Sequence, residues 1–174
     1  MGAWNTQGLR GSTFEEMINL TNEQYKEKGL AIIQKIPTPI TPTQLDAQTR
    51  TISKAYFQKK STVDYIGAVQ GIPVCFDVKE TSRKSFPLQN IHAHQLDFME
   101  NFEAQGGTAF ILVRFQAYNE IYFLHFAQLK LHMQGPRKSI PYAQFDKRFI
   151  VEKSQFFLVH YLEALNVHLM SKIV

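Results

Sequence analysis

The chain contains little of what anchors, exports or cross-links a protein. Its one cysteine, Cys75, cannot form a disulfide within the chain, which is typical of a reducing compartment. No run approaches the roughly 18 apolar residues of a membrane-spanning helix. Residues 1–13 lack the basic and apolar regions of a secretory signal. We therefore expect neither a membrane-spanning nor a secreted protein.

A strong excess of charge of one sign is also absent. The 19 Lys and Arg against 15 Asp and Glu give a net charge of +4 in 174 residues. The hydrophobic share of 44% excludes a disordered chain and is enough for one buried core. Residues 50–84 and 129–174 each hold seven basic and three acidic residues, whereas residues 85–128 hold one and four. Two basic segments would suit a polyanion if the fold brings them together.

Apolar periodicity and turn residues predict one α/β domain over residues 1–174. Helices are predicted over residues 13–28 and 88–105, and strands over 30–36, 63–69, 72–79, 108–115 and 121–126. Ser12 and Glu15 have the spacing of a capping box, and Gly29 ends the first helix. From about residue 127 the pattern mixes short helical pieces with loops. The order predicts a mixed central β-sheet flanked by helices.

Prolines 37, 39 and 42 interrupt the pattern before the predicted hairpin. We expect no regular structure to persist through residues 37–43, which should form a stiff, extended segment. Residues 51–57 are predicted to return as a strand or a short helix. Insertions as long as 37–60 are usually functional or disordered, and the prolines favour an ordered projection.

Two acidic residues and a lysine are predicted to converge at one edge of the sheet. Side chains alternate along a strand, so Asp77 and Lys79 share a face, and a turn at Gln70-Gly71 sets Asp64 level with Asp77. Adjacent carboxylates repel unless a proton or a hard cation lies between them, and their oxygens favour Mg²⁺ or Mn²⁺. Lys79 could neutralise charge on a phosphate. Because Asp-x-Lys is common, an exposed ion pair at a strand end is the alternative.

Longer motifs surround this cluster in a fixed order. They are Gly11-Ser-Thr-Phe-Glu-Glu, Gly29-Leu-Ala-Ile-Ile, Ala55-Tyr-Phe, Ser61-Thr-Val-Asp-Tyr, Phe76-Asp-Val-Lys-Glu-Thr, Ser85-Phe-Pro-Leu-Gln-Asn-Ile-His-Ala-His-Gln and Gly106-Gly. Together they resemble the RecU family of bacterial Holliday-junction resolvases, over about residues 10–140. The resemblance implies a restriction-endonuclease-like, PD-(D/E)xK fold with a protruding stalk at residues 37–60.

The resemblance also implies roles for individual residues. Asp64 and Asp77 would be metal ligands, Thr62 and Gln95 would occupy further metal-site positions, and Lys79 would stabilise the transition state. Glu15 lies where this fold often has a supporting carboxylate; neighbouring Glu16 competes for that role, and a helix cap is the alternative. DNA-phosphate contacts are expected from the basic residues of the stalk and of the segment after the motif: Arg50, Lys54, Lys59, Lys60, Arg83 and Lys84. Their alternative is an ordinary solvated surface.

Other residues weigh less in this interpretation. Asp77 stands where close relatives often have glutamate, and the shorter side chain would alter metal distance. His92 and His94 on one helix would point apart, and nothing nearby completes a zinc site. Cys75 shares the Asp77 face without an evident base, so a catalytic thiol is not expected.

The resemblance implies a homodimeric, Mg²⁺-dependent endodeoxyribonuclease, with Mn²⁺ as a substitute. It would resolve four-way DNA junctions in recombination and repair by paired symmetric nicks. Its expected partners are branched DNA, a second copy of the chain, a recombinase and a branch-migration helicase, in the cytoplasm at the nucleoid. One alternative is an enzyme that uses the same site on other branched or duplex DNA. The other is a catalytically silent, junction-binding accessory protein.

Overall fold

The computed structural model describes residues 13–37, 39–57, 62–152 and 154–171, and this part of the chain forms four α-helices and nine β-strands. The helices are α1 (Phe14–Glu27), α2 (Ala93–Ala104), α3 (Phe126–Gln134) and α4 (Tyr161–Ser171). The strands are β1 (Ile32–Lys35), β2 (Ile40–Asp46), β3 (Thr51–Phe57), β4 (Tyr65–Val69), β5 (Ile72–Thr81), β6 (Ser85–Pro87), β7 (Thr108–Phe115), β8 (Glu120–His125) and β9 (Ser139–Pro141).

A five-stranded mixed sheet in the order β1-β4-β5-β7-β8 organises the molecule. Strands β5 and β7 are parallel, and the other neighbouring pairs are antiparallel. Parallel strands require a long crossover, which α2 provides between β5 and β7. The predicted mixed sheet with flanking helices is confirmed.

Both faces of this sheet are covered. On one face, the rings of Tyr65, Phe76 and Phe110 stack across β4, β5 and β7 with centroid separations of 4.8 and 4.7 Å. Helices α1 and α4 bury this aromatic row, whereas α2 and α3 pack on the opposite face. Offset aromatic pairs add to the free energy gained by burying their area. The central strand β5 is therefore held rigidly from both sides.

Strands β2 and β3 form a separate two-stranded sheet. The expectation that regular structure stops through residues 37–43 is wrong, because Pro42 lies within β2 opposite Ala55. The register shifts between Pro42 and Gln44, and such a bulge tolerates a residue without an N–H group. Residues 40–56, whose side chains the structure describes, add none to either core cluster.

Two predicted helix starts are corrected by the structure. Helix α1 is capped by Thr13 and Glu16, whose reciprocal hydrogen bonds measure 2.7 and 3.2 Å. The predicted cap, Ser12 with Glu15, is thus one residue out of register, and Ser12 lies outside the described residues. The second helix starts at Ala93 rather than residue 88, because the chain from Ser85 first pairs with β9 and then forms a 3₁₀ turn.

Candidate active site

The β4–β5 hairpin places the two aspartates opposite each other. Its turn residues Gln70 and Gly71 have φ values of 48° and 89°, the left-handed pair that a tight hairpin turn needs. Tyr65 pairs with Phe76 in the resulting register. One step beyond that pair, Asp64 therefore lies level with Asp77, as the alternation of side chains predicts.

Each aspartate side chain is fixed by the backbone of the other strand. The Asp64 N–H donates to Asp77 Oδ1 at 2.8 Å, and the Val78 N–H donates to Asp64 Oδ2 at 3.0 Å. Bonds to backbone N–H groups stabilise the charged form of a carboxylate. The sequence alone gives no signal for this exchange, which depends on the two strands meeting in this register.

Asp77 is fully buried and its charge is compensated by two further side chains. The Lys79 Nζ lies 2.7 Å from Asp77 Oδ2, and the Lys79 side chain is 18% exposed. The Gln95 amide donates to the same carboxylate oxygen from the first turn of α2. A buried carboxylate without such partners would be strongly destabilising. The alternative of a solvent-exposed ion pair is therefore wrong for Asp77 and Lys79.

Asp64 is less well compensated. Its burial, and secondly the negative charge of Asp77, raise the pKa of the Asp64 carboxyl to about 6. The Val78 N–H and the Lys79 ammonium act in the opposite direction. A raised pKa of this kind indicates a site with an excess of desolvated negative charge, which an added cation would relieve.

Gln95 connects this cluster to the start of α2. Its Oε1 accepts a hydrogen bond of 3.0 Å from the His92 N–H while its amide nitrogen donates to Asp77. His92 is the extended N-cap residue of α2, and its ring stacks on that of His94 at 5.5 Å. The prediction that the two rings point apart is wrong because His92 precedes the helix. A glutamine three residues after the cap is a capping-box signal that could have placed this start.

The donor set fits a hard divalent cation. Asp64 and Asp77 supply carboxylate oxygens, and the half-buried Thr62 precedes Asp64 by two residues. The Gln95 oxygen expected beside them instead accepts from the His92 N–H, and the Gln95 amide nitrogen faces Asp77. In the described parts of the chain, no group of three or more His, Cys, Asp or Glu side chains could hold a metal ion. A site with two carboxylates suits Mg²⁺, which usually keeps several water ligands.

The other predicted residues lie at different places. Glu15 pairs with Lys35 on β1, and Glu16 belongs to the α1 cap. Neither of these glutamates has a described contact with Asp64 or Asp77. Cys75 is buried and desolvation raises its thiol pKa to about 12, which does not suit a nucleophilic thiolate.

The predicted DNA contacts fall into two groups. Arg50 and Lys54 are exposed on the β2–β3 hairpin, and Arg83 and Lys84 are exposed between β5 and β6. Lys59 and Lys60 lie outside the described residues.

None of the described helices has the length and apolar character needed to cross a membrane.

Comparison with known proteins gives consistent matches over most of the chain. The family model described as Recombination protein U, RecU, matches residues 9–167. The Holliday junction resolvase RecU of Lactococcus lactis subsp. lactis is 42% identical over 166 residues, 91% of this chain and 78% of that protein. The RecU resolvase of Streptococcus pneumoniae is 39% identical over 168 residues, 92% of this chain and 85% of that protein.

Among solved structures, the Holliday junction resolvase Hjc of Archaeoglobus fulgidus matches this chain with a TM-score of 0.45 and a sequence identity of 10%. The match covers 86% of this chain and 98% of that one. The sequence comparisons correct one expectation, because the family match continues to residue 167 rather than ending near residue 140.

Proposed function

Because the chain belongs to the RecU family, we propose that it is a divalent-metal-dependent endonuclease that resolves four-way DNA junctions. The main support for this proposal is the cluster in which Asp64, Asp77 and Lys79 meet on adjacent strands. Two carboxylates beside an ammonium group suit phosphodiester hydrolysis, since one part of the site holds a cation and the other faces an anion.

In this proposal the protein side chains divide the work. Asp64 and Asp77 would hold Mg²⁺, or Mn²⁺ in its place, with Thr62 as a further oxygen donor. Gln95 would position the Asp77 carboxylate through its amide nitrogen, since its oxygen accepts from the His92 N–H. When bound, the cation supplies Lewis-acid polarisation of the scissile phosphate.

Lys79 faces the phosphate side of the cluster. Its ammonium group has three N–H donors, and contact with Asp77 uses one of them. The remaining donors stabilise negative charge that develops on the phosphate oxygens. The Asp77 contact also fixes the direction of the lysine, so little reorganisation is needed when the phosphate arrives.

Resolution of a junction requires two cuts at symmetry-related positions. We therefore propose that two copies of the chain act as a two-fold dimer. The β2–β3 hairpin serves as the stalk that enters the open centre of the junction, with Arg50 and Lys54 meeting phosphates. Its lack of contribution to either core supports a role outside the folded body.

The decisive experiment is cleavage of a mobile four-way junction with Mg²⁺ or with EDTA. We expect Mg²⁺-dependent paired nicks from the wild-type protein and none from Asp77→Asn. The matched control is Asp146→Asn, which removes a carboxylate that is paired with Arg148 away from the cluster. Tight binding without cleavage by the wild-type protein would favour the accessory-protein alternative, and equal cleavage by Asp77→Asn would refute the assigned site.

A further inference from the structure

Short strands β6 and β9 bring two distant basic segments together. Ser85, Phe86 and Pro87 pair with Pro141, Ile140 and Ser139 in antiparallel register. The pairing is extended at both ends, because the Tyr142 N–H donates to the Lys84 carbonyl and the Leu88 N–H donates to the Lys138 carbonyl. The fold thus joins the basic segment 50–84 to the basic segment 129–174.

Four cations at the ends of this strand pair have no described acidic partner. Ion pairs in the described chain involve the following Lys and Arg residues: Lys35, Lys79, Arg114, Lys130, Lys147 and Arg148. Arg83, Lys84, Arg137 and Lys138 are absent from that set, and all four are exposed. Burial lowers the pKa of His132, and the nearby positive charge of Arg137 lowers it further. Arg137 thus lies near enough to His132 for its positive charge to act on that ring.

Strand β6 is connected at both of its ends to elements that carry residues of the Asp64–Asp77 cluster. Strand β5 carries Asp77 and runs into β6 through a turn in which the buried Thr81 hydroxyl accepts a 3.1 Å hydrogen bond from the Arg83 N–H. Beyond β6 the chain passes through one 3₁₀ turn to α2, which carries Gln95. Arg83 and Lys84 are thus a few residues from one cluster element, and Lys138 bonds to the segment leading to the other.

We propose that Arg83, Lys84, Arg137 and Lys138 form one surface that binds the phosphate backbone of a duplex DNA arm. We call these four residues the β6–β9 basic surface. The proposal deepens the proposed function and rests on it for the identity of the DNA, a junction arm leading into the active site. Arg137 and Lys138 carry the new assignment, since the sequence pattern indicated only the other two.

The dimensions of the surface agree with a nucleic-acid backbone. The four-residue step from Lys84 to Leu88 spans about 13 Å at a rise of about 3.3 Å per residue. Measured along the helix axis, one DNA strand presents a phosphate about every 3.4 Å, so a surface of this length lying along the axis spans about four phosphates. Contacts of this kind position the duplex without reading its sequence. They suit an enzyme that must hold arms of any sequence.

The test is the salt dependence of DNA binding in EDTA, measured by fluorescence anisotropy on a plain duplex and on a four-way junction. In Arg137→Gln/Lys138→Gln, the slope of log affinity against log salt should become shallower by about 1.8 per protomer, since each phosphate contact contributes about 0.9. If the variant and the wild-type protein bind equally at about 1 M salt, where these contacts contribute nothing, the same slope change predicts a loss at about 0.05 M salt. The affinity of the variant for both DNAs should then be lower on the order of 100-fold.

Two variants serve as controls. Lys26→Gln/Lys28→Gln removes the same charge from exposed positions at the end of α1 and should keep the wild-type slope. Arg137→Lys/Lys138→Arg keeps the charge and should also keep it. A slope in Arg137→Gln/Lys138→Gln equal to that of the α1 control would overturn the basic surface, even if junctions are cleaved normally.

The outcomes for the wild-type protein separate the two proposals. If it binds DNA but never cleaves junctions, the nuclease function fails while a changed slope still supports the basic surface. If it has no measurable affinity for either DNA, both proposals are wrong.

Discussion

Replacing Lys79 with methionine tests the electrostatics of the cluster. In metal-free buffer this change leaves the fully buried Asp77 carboxylate without its ammonium partner. Removing one partner of a buried pair typically costs about 3–5 kcal/mol. Because Lys79 is partly exposed and two N–H donors to Asp77 remain, we expect a cost below that range, about 2–3 kcal/mol.

The assay is urea unfolding in EDTA, with thermal unfolding as a second readout. For a chain of this size the loss corresponds to a melting temperature lower by about 5–10 °C. The matched control is Lys130→Met, which breaks an exposed pair with Glu100 and should cost less than about 1 kcal/mol.

The double variant Lys79→Met/Asp77→Asn isolates the interaction. Removing the carboxylate charge as well should restore part of the stability, with a coupling energy of about 1–3 kcal/mol. Mg²⁺ should stabilise Lys79→Met more than the wild-type protein, because a cation would then replace the missing ammonium charge. If Lys79→Met is as stable as Lys130→Met, or if the second substitution restores nothing, the compensation described for Asp77 is wrong.

Three further predictions concern the core, the stalk and the acid limit. Phe110→Ala should cost about 3–5 kcal/mol in urea unfolding, since its fully buried ring stacks on both Phe76 and Phe123; Phe110→Leu should cost clearly less. Replacing residues 40–57 by a short Gly-Ser linker should leave the unfolding free energy nearly unchanged and abolish the preference for junctions over duplex; retained preference would exclude the stalk role. Hydrogen bonds from the Arg148 side chain, and secondly from its backbone N–H, lower the pKa of Asp146 below the usual 3.8. The ionised Asp146 therefore contributes its full stabilisation above pH 3.8, and this contribution is lost as the pH falls through the lowered pKa of the folded state. The stability difference between wild type and Asp146→Asn, measured against pH, should therefore vanish under strongly acidic conditions; a difference that persists there would contradict this origin.

The local features of the fold could be predicted from single residues. Three such predictions are confirmed: the turn at Gln70-Gly71, the shared strand face of Asp77 and Lys79, and strand β7 over Thr108–Phe115. Each of them could be predicted because it depends only on residues that are neighbours in the sequence. The β2 strand through Pro42 was not predictable in the same way. A proline penalty is local, but the strand that pairs with β2 opposite Pro42 lies more than a dozen positions further along the chain, and the bulge beside Pro42 exists only in that pairing.

The sequence by itself determined that Asp64 would stand opposite Asp77 and that two segments of the chain are basic. A hairpin register and a count of charges contain that information. Only the tertiary structure decided that Asp77 is fully buried, that Gln95 reaches it from α2, and that Lys84 and Lys138 flank one strand pair. These facts depend on contacts between residues far apart in the chain, whose positions are set by the packing of the whole sheet and its helices rather than by any local preference.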